Sequence, residues 1–325
     1  VTQVDTQVDK ALEDRLEDLR RPLLGFCYRM LGSAHEAEDA VQETMIRAWR
    51  GLGRLDDRSG LRPWVYKIAT NVCIDATNAR RRRAMPMDLT AANDGPGDLG
   101  PPLPESVWLS PIPTWKVASE DPGERAVSRE SIRLAFVAAL QHLLPRQRAV
   151  LILRDVLRWK AAEVAALLET SVDAVNSTLR RARTALDQAR RADVTPPADR
   201  EPIDARLLQR YVDAFERFDI NGIVSLLHHD AVVSMPPYAF WLRGRDAFGP
   251  WLRSNVTACG YARLVLTEAN GSPAVALYRS GSSGVLKASG LHVLAWRRDQ
   301  VVSLHAFLDP ALFELFGLPE TMPVS

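Results

Sequence analysis

Six residues between Trp64 and Arg82 could form one chemical surface. Trp64, Lys67, Asn71, Asp75, Asn78 and Arg82 recur at three- and four-residue spacing, which gathers them on one face of a helix. That helix leads into Arg80-Arg81-Arg82-Arg83. Arginines hold phosphates, an aromatic ring stacks on an unpaired base, and amides and carboxylates read base edges. The chemistry is recognition, with no bond made or broken. For this helix alone, a tryptophan packed on a neighbour with solvated arginines is an equally simple reading.

A second such face lies near residue 175. Asp173, Asn176, Ser177, Arg180 and Thr184 share one side of a helix, flanked by Arg181 and Arg183. Val172, Val175, Leu179, Ala182 and Leu186 form the opposite, apolar side. A preceding helix over 161–168 and the turn Glu169-Thr170-Ser171, with Ser171 as N-cap, complete a helix-turn-helix. The N-terminal residues of its second helix reach base edges in a major groove, and its arginines clamp phosphates. Such turns often carry glycine; here Glu169 stands in its place. A third polar stripe, Glu36, Asp39 and Glu43, runs along a helix predicted over 34–49, with Val41, Met45, Ala48 and Trp49 on its apolar side. By itself that stripe reads as a solvated face.

The elements that must carry these faces fall into segments of different charge. Residues 1–83 are net +2, 84–127 net −5, 128–191 net +6 and 192–325 net −2. A polyanion would meet two basic segments separated by an acidic one. Arginine far outnumbers lysine throughout, so position carries the argument rather than count. Pro63 suits the first turn of the Trp64 helix. Within 128–191 four helices are expected, the first stopped by Pro145 and the second covering 147–157. Between the basic segments, eight prolines and four glycines over 85–123 exclude regular structure and mark a linker. Its Trp108-Leu109-Ser110-Pro111-Ile112-Pro113-Thr114-Trp115 is too apolar for an inert spacer and should dock on something.

The 325 residues suggest two or three domains, and 46% hydrophobic with 25% charged residues is ordinary globular composition. No apolar run approaches the ~18 residues of a membrane span, and residues 1–21 lack an export-signal core. A cytoplasmic location is expected. Cys27, Cys73 and Cys259 form no CxxC pair, so neither metal site nor disulfide framework is expected.

Beyond residue 203 the pattern becomes α+β. Helices are predicted over 207–218, 220–227 and 244–253, followed by strands over 262–268, 274–279, 286–296 and 301–308 in a curled antiparallel sheet. Asn270-Gly271, Gly281–Gly284 and Arg298-Asp299 supply the turns. Tyr238, Trp241, Arg243, His292, His305 and Asp309 are candidate pocket residues, without spacing that fixes a catalytic set.

Together the two helical segments resemble an extracytoplasmic-function (ECF) sigma factor of bacterial RNA polymerase. Phe26–Gly32, Glu38–Trp49, Trp64–Asn71, Asp75 and the arginine run resemble region 2. Leu144–Arg154, Ala162–Ala165 and Ser177–Arg183 resemble region 4. The C-terminal half resembles SnoaL-like domains of the NTF2-like cone fold through Asp230–Pro237, Trp241–Arg245, Ala269–Ala274 and Phe307–Pro319. The fusion is similar to the SigG-like or SigJ-like actinobacterial groups. The resemblance implies a multidomain chain: region 2 over 10–85, an acidic linker over 86–127, region 4 over 128–192 and a cone domain over 203–325.

It further implies that Glu36, Asp39 and Glu43 dock on the clamp of the polymerase core. Trp64, Lys67, Asn71, Asp75, Asn78, Arg80 and Arg82, with the loop over 51–60, would capture and melt the −10 element. Asp173, Asn176, Ser177, Arg180, Arg181 and Arg183 would read the −35 element, region 4 would touch the polymerase flap, and the acidic linker would thread toward the RNA exit channel. No cofactor, metal or catalytic residue is implied. The cone domain would regulate, with an unknown small-molecule ligand as a further partner. Two other readings compete: a DNA-binding regulator that never joins polymerase, and a cone-fold enzyme (cyclase, isomerase or hydrolase) carrying a DNA-binding attachment.

Overall fold

The computed structural model describes residues 12–54, 60–78, 82–118, 129–199, 205–255, 262–280 and 284–323. Arg80, Arg81, Cys259, residues 55–59 of the loop over 51–60 and the first residues of the 281–284 turn lie outside them. No described helix is long and apolar enough to cross a membrane. The chain forms two compact units: residues 1–83 with 115–192, and residues 84–114 with 193–325.

The first unit is helical. Helix α1 (Arg20–Leu31) ends on Gly32, whose left-handed φ of 70° closes the turn before Ser33 caps α2 (Ala34–Gly51). Helix α3 (Leu61–Asn78) packs across both. Their shared core holds Phe26, Met30, Val41, Met45, Val65, Tyr66 and Ala69, the residues that recur at helical spacing.

The same unit contains the helices of the second basic segment. A helical turn at 129–132 is broken at Arg133, whose extended backbone sets off α4 (Leu134–Gln141). Pro145 does not stop it: the proline is the first residue of α5 (Pro145–Leu151), where its missing N–H costs nothing. A π-helical turn (Ile152–Val156) continues α5. Then come α6 (Ala161–Leu167) and the long α7 (Val172–Ala192), which buries Val175, Leu179, Ala182 and Leu186.

Two buried arginines join the segments of this unit. Arg148 of α5 donates to the carbonyls of Leu140, Gln141, Leu143 and Met30, and to Gln141 Oε1 at 2.7 Å. Arg29 of α1 donates to the Gly25 carbonyl at 2.7 Å and to Ser131 Oγ at 2.6 Å. Burial pulls both guanidiniums down to about 10, so both stay charged at neutral pH.

The second unit has helices α8 (Ala205–Glu216) and α9 (Ile220–Leu226), then strands β1 (Leu227–Ser234) and β2 (Trp241–Arg243), and helix α10 (Arg245–Ser254). Strands β3 (Ala262–Ala269), β4 (Ser272–Ser280), β5 (Val285–Arg297) and β6 (Gln300–Phe307) follow, with α11 (Leu312–Leu315) and β7 (Thr321–Pro323) last. The sheet order is β2-β1-β6-β5-β4-β3, with β7 on β5. β1 runs parallel to β6, so the sheet is mixed rather than wholly antiparallel. The β1 pattern was hidden from sequence reading by its two polar histidines, His228 and His229. Asn270 and Gly271 both have positive φ in the two-residue β3–β4 hairpin, as its turn type requires. One sheet face meets α8, α9 and α10 around Tyr211, Phe215, Phe248, Trp251, Leu294 and Trp296.

The linker belongs to this second unit. Asn93 donates its N–H to the Trp241 carbonyl at 2.9 Å, beside edge strand β2. The Trp241 indole returns a bond to the Thr90 carbonyl at 2.9 Å, and Trp251 Nε1 donates to the Gly97 carbonyl at 3.1 Å. Further along, Ile112 and Asn270 bond reciprocally: Asn270 N–H to the Ile112 carbonyl at 2.9 Å, Ile112 N–H to Asn270 Oδ1 at 3.0 Å. Trp108, Leu109 and Ile112 are buried. The apolar linker segment therefore docks, as its composition demands, whereas Trp115 is exposed in the other unit.

Candidate nucleic-acid interface

Helix α7 presents its polar face openly. Asp173, Asn176, Arg180, Arg181 and Arg183 are exposed and Ser177 is half-buried, because the opposite stripe fills the crossing with α6. Ser171 Oγ accepts the Ala174 N–H at 3.1 Å, capping the helix and fixing its entry. Arg183 is bidentate to Asp155, at 2.9 and 2.7 Å, which raises its pKa and orients its guanidinium. Of the six residues predicted here, Arg183 alone carries an ion pair among the described residues. Asp155 was not predicted, because only the π-helical turn brings it alongside α7.

Helix α3 presents a more occupied face. Asn71, Asp75 and Asn78 are exposed. Trp64 is half-buried against the end of α2: a Cβ on Gly51 would lie 2.8 Å from its Cζ2. Lys67 Nζ sits 2.5 Å from Glu169 Oε1, and Arg82 Nη1 lies 2.9 Å from His142 Nδ1. Arg62 stands over the rings of Tyr66 and Trp159, 5.8 and 5.7 Å from their centroids.

The acidic stripe on α2 is not a set of three uncommitted carboxylates. Glu36 is largely buried and pairs with Arg83 at 2.7 Å. Glu43 pairs with Arg47 at 2.7 Å, and Asp39 is exposed. Beside the stripe lies a groove of about 330 Å³ that sequence reading missed, lined by Arg20, Gln42, Met45, Ile46, Trp49 and Arg50. Trp49 is 51% exposed there. The available signal was the position of Trp49 and Ile46 on a helix whose apolar side has room for only part of them.

The six candidate pocket residues of the second unit do not converge. His292 lies on the inner sheet face, where Nδ1 meets the Tyr211 hydroxyl at 2.9 Å, and Tyr238 packs against that core. His305 is on the opposite face, because Leu304 and Ala306 point inward. It bonds Ser234 Oγ at 2.8 Å. Trp241 and Arg243 also flank inward-facing Leu242, and Asp309 caps the Ala311 N–H. Burial pushes His292 down to about 3 and His305 to about 4, leaving both neutral. Strand phase separates these residues, and because β5 and β6 are buried on both faces around them, no polar alternation marks that phase in the sequence.

Among the described residues, His228, His229 and Asp230 could bring ligand atoms within 4.8 Å of one another. His228 Nδ1 is engaged by the Asp230 N–H at 3.1 Å, and Arg243 approaches the Asp230 carboxylate at 3.7 Å. This suits a solvated polar cluster better than a cation.

Comparison with known proteins decides what these faces are. Residues 16–83 match Sigma-70 region 2, 133–186 match Sigma-70 region 4, and 208–304 match the SnoaL-like domain. The chain is 46% identical to the ECF RNA polymerase sigma factor SigG of Mycobacterium tuberculosis over 94% of its length and 83% of that protein. The chain belongs to the ECF sigma factor family. As a family member it is an RNA polymerase sigma factor with a fused SnoaL-like domain, and sigma factors are not enzymes. Its partners are RNA polymerase and promoter DNA. ECF SigJ of the same organism is 30% identical over 66% of this chain and 61% of that protein. The crystal structure of SigJ covers 94% of this chain and 99% of that one with a TM-score of 0.59 at 23% identity, a likeness of fold.

Proposed function

We propose that this ECF sigma factor reads a promoter with two helices of opposite habit. The exposed N-terminal face of α7 enters the −35 major groove, with Asn176 and Arg180 at base edges and Arg181 and Arg183 on phosphates. The face of α3 takes the melted −10 strand, with Trp64 as the stacking platform and Asn71, Asp75 and Asn78 lining a path for unpaired bases. Arg80 would extend that path, and Arg82 would join it on leaving His142. The observation that carries this reading is the pair of polar faces on α3 and α7 in a chain that matches both sigma regions.

The core-docking surface is the α2 groove with Asp39 at its edge, rather than the acidic stripe alone. Exposed Trp49 and Ile46 supply apolar area for the clamp of the largest subunit, and Arg20 and Arg50 rim it with positive charge. Region 4 would meet the flap, and the protein would act in the cytoplasm, where polymerase works. The C-terminal domain regulates through the linker, because the reciprocal Asn270–Ile112 bonds hold the chain between regions 2 and 4 on that domain. A small-molecule ligand would have to enter among Tyr211, Phe215 and His292, which already pack on one another.

Reconstitution tests the reading. Core polymerase with this chain should give run-off transcript from a cognate promoter, and Arg180→Ala should abolish most of it while pull-down of core is unchanged. Equal loss of both, or no transcript from the unaltered chain, would refute the assignment. Removing residues after Ala192 should change transcript yield; an identical yield would remove the regulatory role.

A further inference from the structure

The turn between α6 and α7 holds an anomaly. Thr170 N–H bonds the Ala165 carbonyl at 2.9 Å and Glu169 N–H the Ala166 carbonyl at 3.4 Å, the two bonds of a Schellman ending. Its left-handed position usually takes glycine, yet Glu169 occupies it with a φ of 51°. A charged, Cβ-bearing residue at a position that disfavours one raises the question of what its side chain does.

The carboxylate reaches across to α3. Glu169 Oε1 lies 2.5 Å from Lys67 Nζ, 102 residues away, on the face shared with Trp64, Asn71 and Asp75. The contact has neighbours of the same kind: the Trp159 ring, just before α6, sits 5.1 Å from the Tyr66 ring of α3, with Arg62 over both. The helix-turn-helix therefore rests on the helix that would hold the melted strand. An anion at hydrogen-bond distance from Lys67 neutralises its charge and repels a phosphate approaching the same ammonium, so carboxylate and phosphate compete for Lys67.

We infer that Glu169 is an internal stand-in for a promoter phosphate: in the closed helical unit its carboxylate occupies Lys67, so the turn of the duplex-reading motif guards the strand-reading face. This rests on the assignment of α3 to the −10 strand. The side chains of Lys67 and Glu169 are 38% and 74% exposed, so the guard is weak, screened by salt and displaced by a competing polyanion. It biases the free chain against single strands without preventing release when core polymerase binds.

The test measures binding of a fluorescein-labelled oligodeoxythymidine to the full chain, free and bound to core polymerase. Glu169→Gln keeps the size of the side chain and removes its charge. It should tighten binding to the free chain by about two- to fivefold, do nothing in the Lys67→Gln background, and leave binding to the core complex unchanged. Lys67→Gln should weaken binding in both forms. If Glu169→Gln leaves the free chain unchanged while Lys67→Gln weakens both forms, the guard is refuted and the strand-binding role of α3 stands. If Lys67→Gln is silent in the core complex, that role and the guard fall together. If Glu169→Gln acts equally with and without Lys67, its effect is general electrostatics and the guard is refuted.

Discussion

The two units bury polar side chains in opposite ways. The helical unit buries guanidiniums: Arg148 in a ring of carbonyls, Arg29 against Gly25 and Ser131, and Arg83 against Glu36. The SnoaL-like unit buries imidazoles and keeps them neutral, His292 with a tyrosine hydroxyl and His305 with a serine. With pKa values of about 10, Arg29 and Arg148 stay charged at neutral and acid pH, so their bonds to carbonyls and hydroxyls do not weaken on acidification. A neutral buried imidazole is vulnerable to acid. The buried Arg29 and Arg148 contacts of the helical unit are thus insensitive to mild acid, and the two buried imidazoles of the unit that holds the linker are not.

The sharpest way to break this contrast is acid. His292 and His305 have folded pKa values depressed to about 3 and about 4, below an unfolded value near 6.5. The unfolded chain therefore binds more protons as pH falls, and stability drops from about pH 6.5 downward until the folded groups themselves titrate. At pH 5 the loss is about 2 kcal/mol for each histidine, or about 4 kcal/mol for the SnoaL-like unit. Denaturant unfolding at pH 7 and pH 5, followed by hydrogen exchange in each unit, should show that loss in β5 and β6 and little in α1 to α7. Equal losses in both units would end the comparison.

A smaller effect sharpens it from the other side. Arg148→Ala leaves several buried carbonyls without a donor and should cost the helical unit about 3 kcal/mol, nearly the same at pH 5 and pH 7. A cost that changes with pH would show that Arg148 is not held as described. Asn270→Ala should cost about 2 kcal/mol, through the left-handed backbone position and the lost bond to Ile112. Its specific sign is faster exchange of the Ile112 amide; unchanged exchange there would detach the linker from the account. Arg180→Ala should leave stability untouched and weaken −35 duplex binding by about tenfold in a gel-shift titration.

The sequence made the helical unit legible because both of its languages are local. Apolar residues at helical spacing located α2, α3, α6 and α7 within a few residues, and Ser171 marked its cap correctly. Pro145 is ambiguous in the sequence because a proline can end one helix or begin the next; here α4 already ends at Gln141 and the proline opens α5. In the second unit the four consecutive strands followed from strand-like runs and the turn signals between them, Asn270-Gly271, Gly281–Gly284 and Arg298-Asp299. β1 and β2 did not, since one opens on two histidines and the other has three residues. The phase that sends His292 inward and His305 outward is not legible either, because β5 and β6 are buried on both faces there. The pairings that matter most across the chain, Lys67 with Glu169, Arg183 with Asp155 and Asn270 with Ile112, are long-range, and no spacing rule reveals them. The glycine-less turn at Glu169 was the one anomaly already visible in the residues.

The central claim is that α3 reads opened strand while α7 reads duplex. Permanganate footprinting of a cognate promoter bound by core polymerase and this chain tests it directly. With Asn71→Ala and Asp75→Ala together, the account predicts that thymines of the −10 element lose their reactivity while protection of the −35 element persists. Undiminished thymine reactivity, or loss of both signals together, would contradict it.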